Sequence, residues 1–129
     1  MTQWMMLFVM HFVGDFVVQT DWQAKNKARN LDALLRHVVT YTVALSPWAF
    51  FVATGMPEPL YWLALNMVAH AATDAVTSQG TRYFSRADRV AFDTDSPPDW
   101  HNFFVVVGAD QCIHYCTLVG LWFWLATDA

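Results

Sequence analysis

Apolar residues gather into four long stretches, about 3–19, 34–54, 60–77 and 103–126, with polar turns between them. Each is near the roughly 17–25 residues a helix needs to cross a bilayer. The pattern predicts an all-α integral membrane protein, an antiparallel four-helix bundle forming one transmembrane domain over residues 1–129. The link Gly55-Met56-Pro57-Glu58-Pro59 is short enough to force a hairpin between the second and third helices. Residues 20–32 and 78–100 form the longer polar segments. The latter closes on Ser96-Pro97-Pro98-Asp99, a helix-start pattern with Ser as cap, Pro in the first turn and Asp at the third position. The first stretch lacks a basic leader and a small-residue cleavage site, and carries His11 and Asp15. It is therefore expected to be a retained helix rather than a signal peptide.

Charge placement sets an orientation. Lys25, Lys27, Arg29 and Arg36 flank the first polar turn, and Arg82, Arg86 and Arg89 lie in the last, while the Gly55–Pro59 turn and both ends have no Lys or Arg. By the positive-inside rule the basic segments face the cytoplasm and both termini face out, in a multi-pass inner (cytoplasmic) membrane protein. Lys25 and Lys27 are expected to face anionic headgroups, and Arg82–Phe92 to lie along the inner surface. Trp22 and Trp100 mark the inner boundary, and Trp4, Trp48, Trp62, Trp122 and Trp124 an outer aromatic belt.

Composition narrows the field. Hydrophobic residues make up 56% and charged residues 14%, and Glu58 is the single glutamate, which disfavours a soluble bundle with Glu/Lys-lined outer faces. Seven basic residues in two short segments make no nucleic-acid-binding face. Membrane lipids are the expected partners. Self-association suits a chain this small, although no small-xxx-small face marks where. Cys112 and Cys116, four apart in an apolar run, are expected to be packing residues rather than a disulfide or thiolate site.

Three spans carry a His and an Asp four residues apart: His11/Asp15, His70/Asp74 and Asp110/His114. That spacing puts both side chains on one helical face. Five histidines and ten aspartates placed at random give about one such pair, so three is an excess. Gln19 extends the first stripe, Asn66 and Ser78 bracket the third, and His37/Tyr41 repeats the spacing on the second helix. Ionisable residues inside a span are costly, so each marks a candidate functional site. Counted from the inner boundary at about 1.5 Å per residue, His11, Asp15, His37, His70, Asp74 and Asp110 fall roughly 5–13 Å deep and His114 about 18 Å.

Imidazoles and carboxylates without thiolates suit zinc, manganese or iron, as one or two ions. The candidate ligands are His11, Asp15, His37, His70, Asp74, Asp110 and His114. A metal would offset the cost of burying the carboxylates and could activate water for hydrolysis of a phosphoester or lipid-linked substrate at the inner leaflet. The carboxylates could equally orient the histidines from behind. The same residues also fit a metal-free network holding the helices together, or a proton or ion pathway. His101, beside Asp99 and Trp100, is a boundary residue within reach of the cytoplasmic mouth.

His11-Phe12-Val13-Gly14-Asp15-Phe16 with Gln19-Thr20-Asp21-Trp22 and Lys25, then His70-x-x-x-Asp74 with Thr77-Ser78, resemble motifs of small phage and bacterial membrane proteins catalogued as domain of unknown function 3307. His101-Asn102-Phe103-Phe104-Val105-Val106-Val107-Gly108 and Asp110-Gln111-x-x-His114-Tyr115 are similar to that family's last and most specific motif. The likeness covers nearly the whole chain and is least over 79–98. It implies a four-helix membrane protein, often phage-borne, with no settled activity and no catalytic assignment. It leaves room for a non-enzymatic role on the host envelope or host proteins. A looser likeness, in residue type alone, is to membrane-bound metal-dependent hydrolases.

Overall fold

The computed structural model describes residues 2–53, 58–85 and 97–127. These residues are all-helical. Helix α1 (Thr2–Phe12) runs into a π turn at Val13–Val17, and the short α2 (Asp21–Asn26) follows. Helix α3 (Leu31–Pro47) ends in a second π turn, Trp48–Val52; α4 spans Pro59–Ser85 and α5 Trp100–Thr127.

Local chemistry fixes the starts. Thr20 caps α2 in a reciprocal capping box with Gln23, and Asn30 caps α3 by accepting from the amides of Asp32 and Ala33. Helix α5 begins at Trp100, capped by Asp99, which accepts from the Asn102 amide at 3.1 Å. The expected start one turn earlier is thus displaced to Asp99; Ser96 lies outside the described residues, as do most of the Gly55–Pro59 turn, Arg86 and Arg89. Helix α4 continues through the polar residues Ser78–Ser85, so Arg82 is helical.

Burial repeats about every four residues: Leu7, His11 and Asp15 on α1 and its π turn; Leu34, His37 or Val38, Tyr41 and Leu45 on α3; Asn66, His70, Asp74 and Ser78 on α4; Asp110, His114 and Leu118 on α5. These stripes face one another in two layers. Toward one end Leu7, Tyr41, Leu45, Trp48, Ala49, Trp62, Leu63 and Leu118 form an apolar core. The His and Asp residues fill the next layer.

Trp48 and Trp62 are fully buried in that core, with ring centroids 5.1 Å apart. The expected belt therefore loses two members, because each indole N–H is satisfied internally, Trp48 by the Gln3 carbonyl and Trp62 by that of Leu118. Among the described residues one helix, Trp100–Ala126, is by itself long and apolar enough to cross a membrane. The π turns divide the first two predicted stretches into shorter α-helices, and polar residues dilute the apolar character of α4.

Candidate metal centre

The first π turn delivers Asp15. It holds Gly14 against α3, where a Cβ would come within 2.9 Å of Tyr41 Cδ2 and 3.3 Å of the Tyr41 carbonyl. This close approach brings Asp15 beside His37. Helices α4 and α5 lie antiparallel with His70 opposite His114, ring centroids 4.3 Å apart, and Thr77 donating to Asp110 Oδ1 at 2.5 Å. His114 thus sits level with His70, not deeper, because α4 extends past the boundary assigned at residue 77.

All seven sequence-derived candidates are buried, and all lie around one cluster. Four donors converge most tightly: Asp15 Oδ1, His37 Nε2, His70 Nε2 and Asp74 Oδ2. His37 Nε2 is 3.1 Å from Asp15 Oδ1, 3.2 Å from Asp74 Oδ2 and 3.1 Å from His70 Nε2. His70 Nε2 is 3.7 Å from each carboxylate oxygen. Ligands about 2.0–2.1 Å from a tetrahedral metal stand roughly 3.3–3.4 Å apart, so this set has the spacing of a coordination shell.

The other candidates differ. His114 Nε2 is 3.9 Å from Asp74 Oδ1, and its Nδ1 is 3.5 Å from Asp110 Oδ2. Among the described residues, neither ring nitrogen of this buried histidine has a hydrogen-bond partner, nor does His70 Nδ1. Such orphaned groups call for an additional partner. Asp74, Asp110 and His114 form a second group able to hold an ion, sharing Asp74 with the first, and His11, Asp15 and His114 a third. His11 is the most committed of the seven, since Tyr41 Oη and Gln111 Oε1 each lie 2.9 Å from one of its nitrogens.

Supporting contacts orient the donors. The Gln19 amide lies 3.0 Å from His37 Nδ1, a placement that fixes the ring with Nε2 toward the cluster. The Tyr41 ring stacks on His70 at 3.7 Å and 6°. Gln111 Nε2 donates to Asp15 Oδ2 at 2.7 Å and to Asp110 Oδ2 at 3.0 Å. Lys27 Nζ donates to Asp74 Oδ2 at 2.7 Å, so it is a site residue and not the headgroup-facing lysine its sequence position implied. Three buried carboxyl groups, Asp15, Asp74 and Asp110, thus gather around a single ammonium, and a metal ion is one way in which such buried acidic groups are compensated.

Sequence reasoning missed Lys27 because no periodicity reaches into a turn. Gln111 was signalled only by adjacency to Asp110 within the Asp110-Gln111-x-x-His114-Tyr115 motif. Asn66 and Ser78, though buried on the stripe, bond back to their own helix at the Trp62 and Asp74 carbonyls. His101 is exposed at the start of α5, and Cys112 and Cys116 are free thiols on its outer face.

The family model described as Protein of unknown function (DUF3307) matches residues 4–129. The chain belongs to the DUF3307 family. No curated protein and no solved structure matches it. In this DUF3307 member, the matched span includes every residue of the cluster, from His11 to His114.

Proposed function

We propose that this is a metal-binding integral membrane protein, and specifically a metal-dependent hydrolase of a phosphoester or lipid-linked substrate at the inner leaflet. The observation that carries the metal is the convergence of Asp15, His37, His70 and Asp74 at coordination spacing. The bilayer setting, with four crossing segments, is supported by an inverted distribution of polarity. The seven His and Asp residues of the cluster occupy the interior, whereas Val9, Phe51, Leu60, Val68, Val76 and Phe104 point outward, each more than half exposed. Hydrocarbon tolerates ionisable groups in just such an arrangement, turned inward and paired.

Four protein donors would close a tetrahedral zinc shell. Water activation therefore requires a manganese or iron ion with further coordination positions, or a second ion at Asp74, Asp110 and His114. Elemental analysis of the detergent-purified chain is the test. About one or two transition-metal ions per chain are expected, and stoichiometric absence ends the reading. Changing His70→Ala and Asp74→Asn together should reduce the metal to background while helical circular dichroism persists.

One observation favours a second reading. Hydrogen-bond-length contacts link Tyr41 to His11, His11 to Gln111, Gln111 to Asp15, Asp15 to His37, and His37 to His70 without a break. Such a chain suits a metal-free network that ties helices together, or a proton path. Unfolding of the same double variant in metal-free protein would favour the first. Proton flux in liposomes that is lost in Asp15→Asn would favour the second.

A further inference from the structure

Asp74 turns its two oxygens to different neighbours. Oδ2 faces Lys27 Nζ at 2.7 Å, His37 Nε2 at 3.2 Å and His70 Nε2 at 3.7 Å, and so belongs to the four-donor set. Oδ1 faces His114 Nε2 at 3.9 Å. His114 is 1% exposed, and among the described residues neither of its ring nitrogens has a hydrogen-bond partner. A buried imidazole in that condition calls for a further partner.

Asp110 stands one turn before His114 on α5, with Oδ2 3.5 Å from His114 Nδ1. Thr77 donates to its Oδ1 and Gln111 to its Oδ2, and these two bonds fix the carboxylate in place. Asp74, Asp110 and His114 each offer one ligand atom within 4.8 Å of the others. His114 also lies near His11 and Asp15. That set is the poorer one, because His11 is engaged by Tyr41 and Gln111 at its two nitrogens, and Gln111 also donates to Asp15.

The two groups of donors differ in completeness. Two carboxylates and two imidazoles close a tetrahedral shell, whereas one imidazole and two carboxylates leave a position open. Space adjoins the incomplete group. A cavity of about 90 Å³ borders Asp74 and Asp110, together with Asp15, Gln19, Lys27 and Thr77, and it is large enough to hold water.

We propose that the cluster binds two divalent ions in unlike positions. One is closed, at Asp15, His37, His70 and Asp74. The other is open and exchangeable, at Asp74, Asp110 and His114, and Asp74 bridges the pair through its two oxygens. This centre rests on the metal-binding reading above and adds to it the position where a water or a substrate oxygen binds. Oxygen-rich donors suit manganese or iron at the open position.

The test titrates the metal-stripped, detergent-purified full chain with manganese(II) and follows it by electron paramagnetic resonance. Wild type should bind about two ions, the second at least about tenfold more weakly than the first, with the broadened spectrum of ions coupled through a shared carboxylate. His114→Ala and, separately, Asp110→Asn should each lower the count to about one, with the tight step altered less than about threefold and helical circular dichroism preserved. The nearly isosteric Asp110→Asn decides the matter if His114→Ala fails to fold. A single ion in wild type, or a second ion that persists in Asp110→Asn, overturns the two-ion centre and leaves the metal-binding reading standing. Loss of the tight ion in Asp110→Asn also overturns it, because Asp110 would then belong to the first shell of donors. Two ions without magnetic coupling overturn the Asp74 bridge. No binding of manganese or, in a parallel titration, of zinc ends both readings.

Discussion

Lys27 Nζ lies 2.7 Å from Asp74 Oδ2, an ion pair between residues 47 apart in sequence with both side chains largely withdrawn from solvent. The ammonium comes from the polar turn after α2, and the carboxylate from the middle of the buried stripe on α4. It occupies part of the space around a carboxylate oxygen that also faces His37 and His70. Lys27 and a metal ion are therefore alternative or joint sources of positive charge for Asp74.

Replacing Lys27→Met tests this relation. In metal-free protein the change leaves a buried carboxylate without its cation, a loss of roughly 3–5 kcal/mol. A bound metal would restore most of it. The midpoint of thermal unfolding should accordingly drop much more on chelation in Lys27→Met than in wild type. Equal drops would show that no metal shares Asp74 with Lys27.

Gly14 is expected to be intolerant. A Cβ there meets Tyr41 Cδ2 at 2.9 Å and backbone at 3.3 Å, so Gly14→Ala must push the π turn off α3. The expected loss is about 1–3 kcal/mol in denaturant unfolding, with lower metal occupancy because Asp15 moves with the turn. Gly108→Ala is the control. Its Cβ meets nothing within 4 Å, and the change should be neutral or stabilising by up to about 1 kcal/mol.

Trp62 belongs to the apolar layer and not to the donor layer. Trp62→Ala removes a fully buried indole and its bond to the Leu118 carbonyl, and should cost about 3–5 kcal/mol. Metal content per folded chain, measured below the new unfolding midpoint, should hold. A variant that stays as stable as wild type would contradict the assigned core.

The bilayer proposal predicts a labelling pattern. Cys112 and Cys116 point outward from the middle of α5. In membranes both should resist a charged, impermeant maleimide and react with a lipid-soluble one. In a chain with both native cysteines replaced by serine, Lys25→Cys should be labelled only from the cytoplasmic side and Glu58→Cys only from the opposite one. Rapid reaction of the native thiols with the charged reagent in intact vesicles would exclude the proposed spans.

The periodic residues carried much of the arrangement. A four-residue repeat of His and Asp can be inward-facing on each helix at once only if the helices surround a common axis, so Asp15, His37, Asp74 and His114 were legible as one group before any packing was known. What could not be read was who partners whom. Of the i,i+4 neighbours seen in the sequence, Asp110 and His114 stay close at 3.5 Å, but His37 lies nearest Asp15, Asp74 and His70, all from other segments, and the hydrogen bonds that link His11 to Asp15 run through Gln111.

Sequence alone determined the helical class, the four apolar stretches and the identity of the buried ionisable residues, since period and hydropathy are properties of each segment taken singly. Tertiary structure decided the offset of α4 against α5 that levels His114 with His70, the π turn that seats Gly14 on Tyr41, and the reach of Lys27 into Asp74. Those depend on contacts between segments distant along the chain. Side-chain shape and close packing select them, and local pattern leaves them open.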